Sequence, residues 1–289
     1  MGTYMSKGLP PESLGWFGLA EDPFIGVDDE RFYARVAPHE RAVKDCLQTV
    51  TQQIGMGLVL GAPGAGKSMV AARLEAVLAR DGSARQFLPH LVDGGKLGTS
   101  SDRLLRGLCT ALGERKRVAG YKLYDTIESN ALRLFETGRV PVLLIDRAET
   151  LEREVLQSLV FLWNLVTPCA SHFLVRIVLF ARPTLVGRLD ASRYAALRSR
   201  ITLTTPELPA LDEGSIAAVV AHRVAAAGGP ENLFDADALR ALHADSRGNP
   251  GAALRLAIRS LQTAFARRER TVSVESVDDA NGKGSILVA

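Results

Sequence analysis

One glycine-rich stretch carries the clearest chemical signal in the chain. Gly61-Ala62-Pro63-Gly64-Ala65-Gly66-Lys67-Ser68 has the spacing G-x-x-x-x-G-K-S, the pattern of a phosphate-binding loop. Its glycines let backbone N–H groups curl toward phosphate oxygens. Lys67 offers a cation to the β- and γ-phosphates, and the Ser68 hydroxyl can ligate Mg²⁺. The stretch therefore predicts a site for a nucleoside triphosphate with its magnesium ion.

The residues around this loop predict the local structure that such a site needs. The apolar run Met56–Leu60 precedes it and suits a short buried strand. After it, Val70, Leu74 and Leu78 fall on one face of a helix, whose positive N-terminal end would favour phosphate. A chance glycine-rich turn before a surface lysine is the alternative, and both flanks argue against it.

A second signal is an apolar run that ends in an acid, Val140-Pro141-Val142-Leu143-Leu144-Ile145-Asp146. Continuous apolar runs are typical of central parallel strands, and open α/β sheets bind ligands at the carboxyl ends of their strands. Asp146 would hold Mg²⁺ opposite Ser68, and Glu149 follows three residues later. The predicted cofactors are thus ATP and Mg²⁺.

The alternation of strands and helices predicts an α/β fold with a parallel sheet flanked by helices. Further strands are predicted at 85–92 and 172–180, and Ser101 is expected to cap a helix. Beyond Pro206 and Pro209 the pattern is mainly helical. We therefore predict an N-terminal extension at 1–36, an α/β nucleotide-binding domain at 37–206, and a small all-helical lid domain with a tail at 207–289.

The N-terminal extension, read as a loop punctuated by prolines, contains the aromatic segment Trp16–Phe24. Aromatic side chains in a loop must pack on something. Two alternatives stay open, namely a contact with the base of a nucleotide and a plain hydrophobic anchor.

Composition sets the broad class of protein. The chain has 289 residues, 47% of them apolar, and a formal net charge of +3, which is compatible with nucleic acid but does not demonstrate it. The widely spaced Cys46, Cys109 and Cys169 suggest reduced, mostly buried thiols in a cytoplasmic protein. No membrane span is expected, because the best apolar stretch, 173–180, is of strand length and contains Arg176.

Taken together, these motifs resemble AAA+ ATPases of the group that includes the ExeA-type secretion ATPases and the TnsC, TniB and MuB transposition ATPases. The origin-binding replication ATPases are more distant relatives. The resemblance covers roughly residues 14 to 281. Besides the phosphate-binding loop and Asp146, it depends on Phe17-Gly18-Leu19, Pro23-Phe24, Arg182-Pro183, Leu197-Arg198-Ser199-Arg200-Ile201, Ala221-His222-Arg223 and Gly228.

The resemblance implies a P-loop NTPase that works as an ATP-dependent switch and assembles into rings or helical filaments. One subunit would offer an arginine to the γ-phosphate of the next, and Arg200 is the best match, with Arg198 second. The alternative for Arg200 is a surface arginine paired with an acid.

The resemblance also implies the residues of the site. The implied catalytic residues are Lys67, Asp146, Glu149 and Arg200. The implied nucleotide-binding residues are Gly61, Ala62, Pro63, Gly64, Ala65, Gly66, Lys67, Ser68, Met69 and Arg255.

Three positions depart from the family pattern. Arg147 stands where a glutamate usually orients the attacking water, so that either Glu149 takes this role or hydrolysis is slow. Arg182 replaces the usual polar residue at the end of the fourth strand. The turn Gly248-Asn249-Pro250-Gly251 lacks the usual arginine, and Arg255 lies one helical turn further on, about 5.4 Å away.

Three roles for the switch are carried forward. The first is a transposition regulator that assembles on duplex DNA and recruits a transposase, with Lys96, Arg103, Lys116 and Arg117 as candidate phosphate contacts, although each could be an ordinary solvated charge. The second is an ExeA-like ATPase for secretion or envelope assembly. Such proteins usually carry a membrane span and a peptidoglycan-binding region after the ATPase part, neither of which is seen before Ala289. The third is an ATP-binding scaffold with weak hydrolysis, suggested by Arg147 and Gly251.

Overall fold

A computed structural model describes residues 8–25, 29–80, 86–203 and 207–282 of the chain. The chain divides into two compact units, each described separately below. The sheet unit comprises Glu40–Ala62 and Val70–Leu208. The helical unit comprises Met1–His39, Pro63–Met69 and Pro209–Ala289. The predicted domain boundary at Pro206 lies outside the described residues.

Within its described residues, the sheet unit is built on five parallel strands in the order β2-β3-β4-β1-β5. Their bounds are Met56–Leu60 (β1), Gln86–Asp93 (β2), Arg139–Asp146 (β3), Arg176–Ala181 (β4) and Ile201–Leu203 (β5). Every residue of β1 and β4 is buried, as is expected of parallel strands covered on both faces. The predicted α/β fold with a parallel sheet flanked by helices is confirmed.

Helices between the strands cover the sheet. They are α3 (Lys67–Arg80), α4 (Asp102–Ala111), α5 (Leu123–Glu136), α6 (Arg153–Trp163), α7 (Thr184–Leu189) and α8 (Ala195–Arg198). Apolar side chains from α4, α5 and α6, such as Leu108, Ile127 and Leu159, join Leu143 and Ile145 of β3 in one buried cluster. This packing fixes β3, and therefore the position of Asp146 at its end.

Several predicted boundaries were wrong in the sheet unit. The fourth strand begins at Arg176 rather than residue 172, because the preceding residues form a turn in which Phe173 pairs antiparallel with Val166. Ser101 does not cap α4; its backbone is already helical, and the Ser100 Oγ accepts a hydrogen bond from the Asp102 N–H instead. Arg85, the predicted start of the second strand, lies outside the described residues.

The helical unit contains α1 (Pro11–Phe17) and the first residues of α2 (Ala37–Gln52), followed by α9 (Glu213–Ala226), α10 (Ala236–Ser246), α11 (Pro250–Ala266) and α12 (Val274–Ala280). A side-chain oxygen accepts a backbone N–H of the first turn in each of the last four helices. These oxygens belong to Asp212, Asp235, Asn249 and Ser273. Such caps satisfy backbone donors that a helix cannot pair internally. None of the helices in the described ranges has the length and apolar character needed to cross a membrane.

The N-terminal segment packs on these helices, and residues 11–17 form a helix where a loop was expected. Phe17, Leu19 and Phe24 are buried in one cluster with α9, α10 and α11. The indole Nε1 of Trp16 donates to the Glu269 carbonyl at 2.7 Å, and the Arg270 guanidinium lies 3.7 Å from the centre of the indole ring. These contacts correspond to the hydrophobic anchor, the plainer of the two alternatives.

Replacement of Trp16 by alanine tests this anchor. We expect Trp16→Ala to lower the free energy of unfolding by about 2 kcal/mol, because it removes a half-buried ring and its cation–π contact. Trp16→Phe should cost less, since it keeps a smaller aromatic ring beneath the Arg270 guanidinium while it loses the hydrogen bond. Urea denaturation followed by circular dichroism gives the measurement. Tyr121→Ala, at a side chain that is 81% exposed, is the control and should change nothing.

Candidate nucleotide-binding site

The phosphate-binding loop connects β1 to α3, which begins at Lys67. Gly64 and Gly66 have φ angles of +81° and +95°, in the left-handed region that side chains with a Cβ rarely enter. A Cβ on Gly64 would also lie 2.5 Å from the Asn249 Oδ1, and one on Gly66 would lie 2.7 Å from the His39 ring. Glycine is therefore required at both Gly64 and Gly66 by conformation and by space.

Lys67 stands at the first position of α3 and is only 8% exposed. A cation held there, with little solvent around it, interacts more strongly with an anion than a surface lysine does. The loop ends at the helix N-terminus, where backbone N–H groups favour phosphate. The chemistry of this segment thus fits the triphosphate of a nucleotide, as its sequence predicts.

Asp146 is the last residue of β3 and lies beside Asp93, the last residue of β2. Because β1, β3 and β4 are parallel, Asp146 stands at the sheet edge where β1 ends and the phosphate-binding loop begins. Its Oδ1 accepts the Arg147 N–H at 2.8 Å. Carboxylate and hydroxyl oxygens such as those of Asp146 and Ser68 are donors that Mg²⁺ prefers.

Arg147, which replaces the usual catalytic glutamate, is bound within the sheet unit. Its φ of +54° is unusual for a residue with a side chain, and its Nε donates to the Asp93 Oδ1 at 2.7 Å. A second guanidinium nitrogen donates to the Asp93 Oδ2, and these hydrogen bonds raise the pKa of Arg147. The arginine is therefore held as a permanent cation by an acid on the neighbouring strand.

Glu149 is held in the same manner. It lies in the short 3₁₀ turn Ala148–Thr150, and its side chain is 10% exposed. The Arg182 backbone N–H donates to the Oε2 at 3.1 Å, and the Arg182 Nε lies 3.1 Å from the Oε1. Sequence reasoning singled out both residues but missed their pairing, which needs the ends of β3 and β4 to be neighbours.

The two candidate arginine fingers make contacts within their own chain. The Arg200 Nε donates to the Asn164 Oδ1 at 3.2 Å, and its NH1 donates to the Ala196 carbonyl at 2.6 Å. Arg198 is ion-paired with Asp190, and both side chains are more than half exposed. The side-chain partner of Arg200 is therefore the Asn164 amide. The alternative of a surface arginine paired with an acid would have required a carboxylate in that place.

Of two arginines in the helical unit, Arg223 contacts the phosphate-binding segment, and Arg255 lies beside Gly251, whose backbone N–H contacts that segment. Arg255 is exposed on α11, and its NH1 lies 3.4 Å from where a Cβ on Gly251 would stand. Arg223 of α9 is 2% exposed; it donates to the Pro23 carbonyl at 3.0 Å, and one of its nitrogens lies 3.8 Å from the Met69 sulfur. Burial lowers the pKa of Arg223. Sequence reasoning assigned no site role to Arg223.

The four candidate phosphate contacts for DNA lie at the two ends of α4. Lys96 and Arg103 are exposed near its beginning, where an Arg103 nitrogen donates to the Lys96 carbonyl. Lys116 and Arg117 are exposed in the loop after it, and they line a cavity of about 660 Å³ together with Arg106. A helix of ten residues is about 15 Å long, so the four do not form one cluster.

The cysteines match the expectation of mostly buried thiols, with one exception. Cys46 and Cys109 are buried, whereas Cys169 is exposed in the turn before β4. Hydrogen bonds with the Ser171 and Thr167 hydroxyls lower the pKa of Cys169 to about 7. The sequence alone gave no sign of this more acidic thiol.

Comparison with known proteins agrees with this geometry. The family model described as an AAA domain matches residues 50–189. General secretion pathway protein A from Aeromonas hydrophila is 29% identical over 254 residues, which are 87% of this chain and 45% of that protein. The chain thus spans less than half the length of this curated relative.

Solved structures extend the similarity beyond the AAA domain. Cdc6p from Pyrobaculum aerophilum has a TM-score of 0.65 at 16% identity, over 91% of this chain and 72% of that chain. The Aeropyrum pernix ORC1 protein, in complex with DNA, has a TM-score of 0.62 at 17% identity, over 87% of this chain and 66% of that chain. The predicted resemblance to AAA+ ATPases of the ExeA-like group is therefore confirmed, and the similarity to Cdc6p and ORC1 shows that the chain has the fold of those structures.

Proposed function

We propose that the protein binds ATP on residues 61–69 and works as an ATP-dependent switch that assembles with copies of itself. The observation that carries this proposal is the shape of the phosphate-binding loop, with two left-handed glycines leading into a buried lysine at a helix start. Ser68 and Asp146 are the proposed ligands of Mg²⁺, which would neutralise charge on the phosphates. Arg255 is proposed as the lid arginine that contacts nucleotide.

The residues around Asp146 support hydrolysis that is slow rather than fast. Glu149 is the proposed base that orients the attacking water, and Arg182 holds its carboxylate through two contacts. Both carboxylate oxygens of Glu149 are thus already engaged by Arg182, so an attacking water would have to compete with that arginine for them. Arg147 cannot accept a proton from water, so turnover would depend on the Glu149 carboxylate as the base.

Removal of the loop lysine tests nucleotide binding. We expect Lys67→Ala to weaken ATP affinity by at least about a hundredfold, because a poorly solvated cation no longer faces the phosphates. Titration calorimetry with ATP gives the measurement. Lys44→Ala removes an exposed lysine from α2 and is the matched control, which should bind like the wild type. Unchanged affinity in Lys67→Ala would reject the assignment of this loop.

Removal of the proposed arginine finger tests assembly-dependent hydrolysis. We expect Arg200→Ala to bind ATP normally and to lose about a thousandfold in the hydrolysis rate at high protein concentration, because the transition-state charge loses its partner arginine. Phosphate release under single-turnover conditions gives the rate. Arg198→Ala should hydrolyse normally; a loss in that variant alone would move the role to Arg198. Full activity and assembly in Arg200→Ala would leave that residue a structural one.

What the switch acts on has two candidate answers. A role in secretion, as part of a larger protein or assembly, is supported by the 29% identity to General secretion pathway protein A. A role on duplex DNA, including the regulation of a transposase, is supported by the exposed basic residues at α4 and by the similarity to ORC1 in complex with DNA. The sequence relative favours the first, and the surface charge favours the second.

Duplex DNA separates the two roles. If the DNA role is correct, duplex DNA should raise the ATPase rate and lengthen the particles formed with a slowly hydrolysed ATP analogue. Lys116→Ala with Arg117→Ala should then weaken DNA binding and reduce the slope of log affinity against log salt by about one per lost phosphate contact. Lys44→Ala with Arg240→Ala removes the same charge elsewhere and should not. An absence of any DNA response would favour the secretion role.

A further inference from the structure

Three consecutive carbonyl groups of the phosphate-binding loop are each bound by a nitrogen from outside the loop. The Asn249 Nδ2 donates to the Pro63 carbonyl at 2.9 Å, and the Gly251 N–H donates to the Gly64 carbonyl at 2.9 Å. The His39 Nε2 lies 3.0 Å from the Ala65 carbonyl. Because a carbonyl can only accept, the His39 Nε2 carries the proton in this contact.

These donors satisfy carbonyl groups that the shape of the loop turns away from the phosphate side. When the loop turns its N–H groups inward to cradle phosphate, its carbonyls turn outward and need partners of their own. Ala65 and His39 are 4% and 5% exposed, so water has little access to their contact. A buried carbonyl without a donor would cost about 1–3 kcal/mol and would favour other loop conformations.

Asn249 makes two hydrogen bonds that have separate purposes. Its Oδ1 accepts the Ala252 N–H at 2.9 Å and caps α11, while its Nδ2 reaches the Pro63 carbonyl. An aspartate or serine could cap the helix equally well, since both are favoured at this position. Aspartate has no donor for the Pro63 carbonyl, and serine lacks a second polar atom beside the capping oxygen, so only asparagine among the three offers the separate Nδ2 that holds the loop.

Gly251 allows the backbone of α11 to contact the backbone of the loop. A Cβ at this position would lie 2.8 Å from the Gly64 Cα and 3.0 Å from the Gly64 carbonyl oxygen. Neither of these backbone atoms can move without a change in the loop. The glycine that replaces the usual lid arginine therefore brings the helix N–H within hydrogen-bond distance of the loop.

We propose that His39, Asn249 and Gly251 are positioning residues of the nucleotide site, which keep the loop in its phosphate-binding shape by holding its outward carbonyls. The shape of the loop then depends on the N-terminal end of α11, and the lid helix takes part in nucleotide binding through hydrogen bonds to protein. This inference rests on the proposed function for the identity of the ligand, but the positioning of the loop is measurable without ligand.

Asn249→Asp separates positioning from capping. It keeps the capping oxygen and places a second oxygen against the Pro63 carbonyl, so that the loop contact is lost and repulsion is added. We expect amide hydrogen exchange in residues 61–67 of the nucleotide-free protein to become about tenfold faster and the Kd for ATP to rise about tenfold. Asn249→Ser, which caps without a charge, should give the same two changes with an unfolding transition like that of the wild type.

Two controls distinguish positioning from general stability. Asp235→Ser changes the cap of α10, which lies at another helix start, and should alter neither loop exchange nor ATP affinity. His39→Ala should speed loop exchange, and His39→Gln, whose amide nitrogen can donate in place of Nε2, should restore it. Gly251→Ala should resemble Asn249→Asp, because its Cβ must displace the loop.

The outcomes of these experiments distinguish the positioning role from a general loss of stability and from the proposed function. Wild-type loop exchange in both Asn249→Asp and Gly251→Ala, or a fall in unfolding stability without faster loop exchange, would overturn the positioning role. Failure of His39→Gln to restore what His39→Ala loses would remove His39 from it. If loop exchange responds as expected while the wild type binds no ATP, the positioning role stands and the proposed function fails.

Discussion

The structure depends on a backbone that must present its N–H groups to one side of a tight loop. Such a loop needs residues without a Cβ at Gly64 and Gly66, where φ is strongly positive, and it needs hydrogen-bond donors on the opposite side for its carbonyls. Short buried strand β1 fixes one end of the loop, and helix α3 fixes the other. Side chains and backbone from segments far away in the chain occupy the remaining sides, as His39, Asn249 and Gly251 demonstrate.

Charge around the end of β3 follows a second constraint. At an edge proposed to receive anions and a divalent cation, several unbalanced charges would be costly, since each has a large influence where solvent is limited. The two arginines that depart from the family pattern are each paired with an acid of a neighbouring element. Arg147 is paired with Asp93, and Arg182 is paired with Glu149. The arginines at these two positions therefore make local ion pairs, and one of these pairs engages the Glu149 carboxylate just after the strand end that carries Asp146.

The N-terminal segment, predicted as an extension, packs with the C-terminal helices of the helical unit. Leu9, Phe17, Leu19, Phe24 and Phe32 share one buried cluster with α9, α10, α11 and α12. The buried Arg223 guanidinium lies over the Phe32 ring, donates to the Pro23 carbonyl and contacts the Met69 sulfur. One side chain of α9 therefore contacts three residues that are far from it in the sequence. The similarity to solved AAA+ structures over most of the chain is consistent with this organisation.

The sequence by itself determined the phosphate-binding loop, the strand that ends in Asp146, and the order of strands and helices, because each of these follows from local residue spacing and apolar periodicity. Only the tertiary structure decided the pairing of Glu149 with Arg182, the burial of Arg223, and the three donors to the loop carbonyls. These contacts join residues between 26 and 200 positions apart, and no local pattern encodes which distant donor a buried carbonyl will meet.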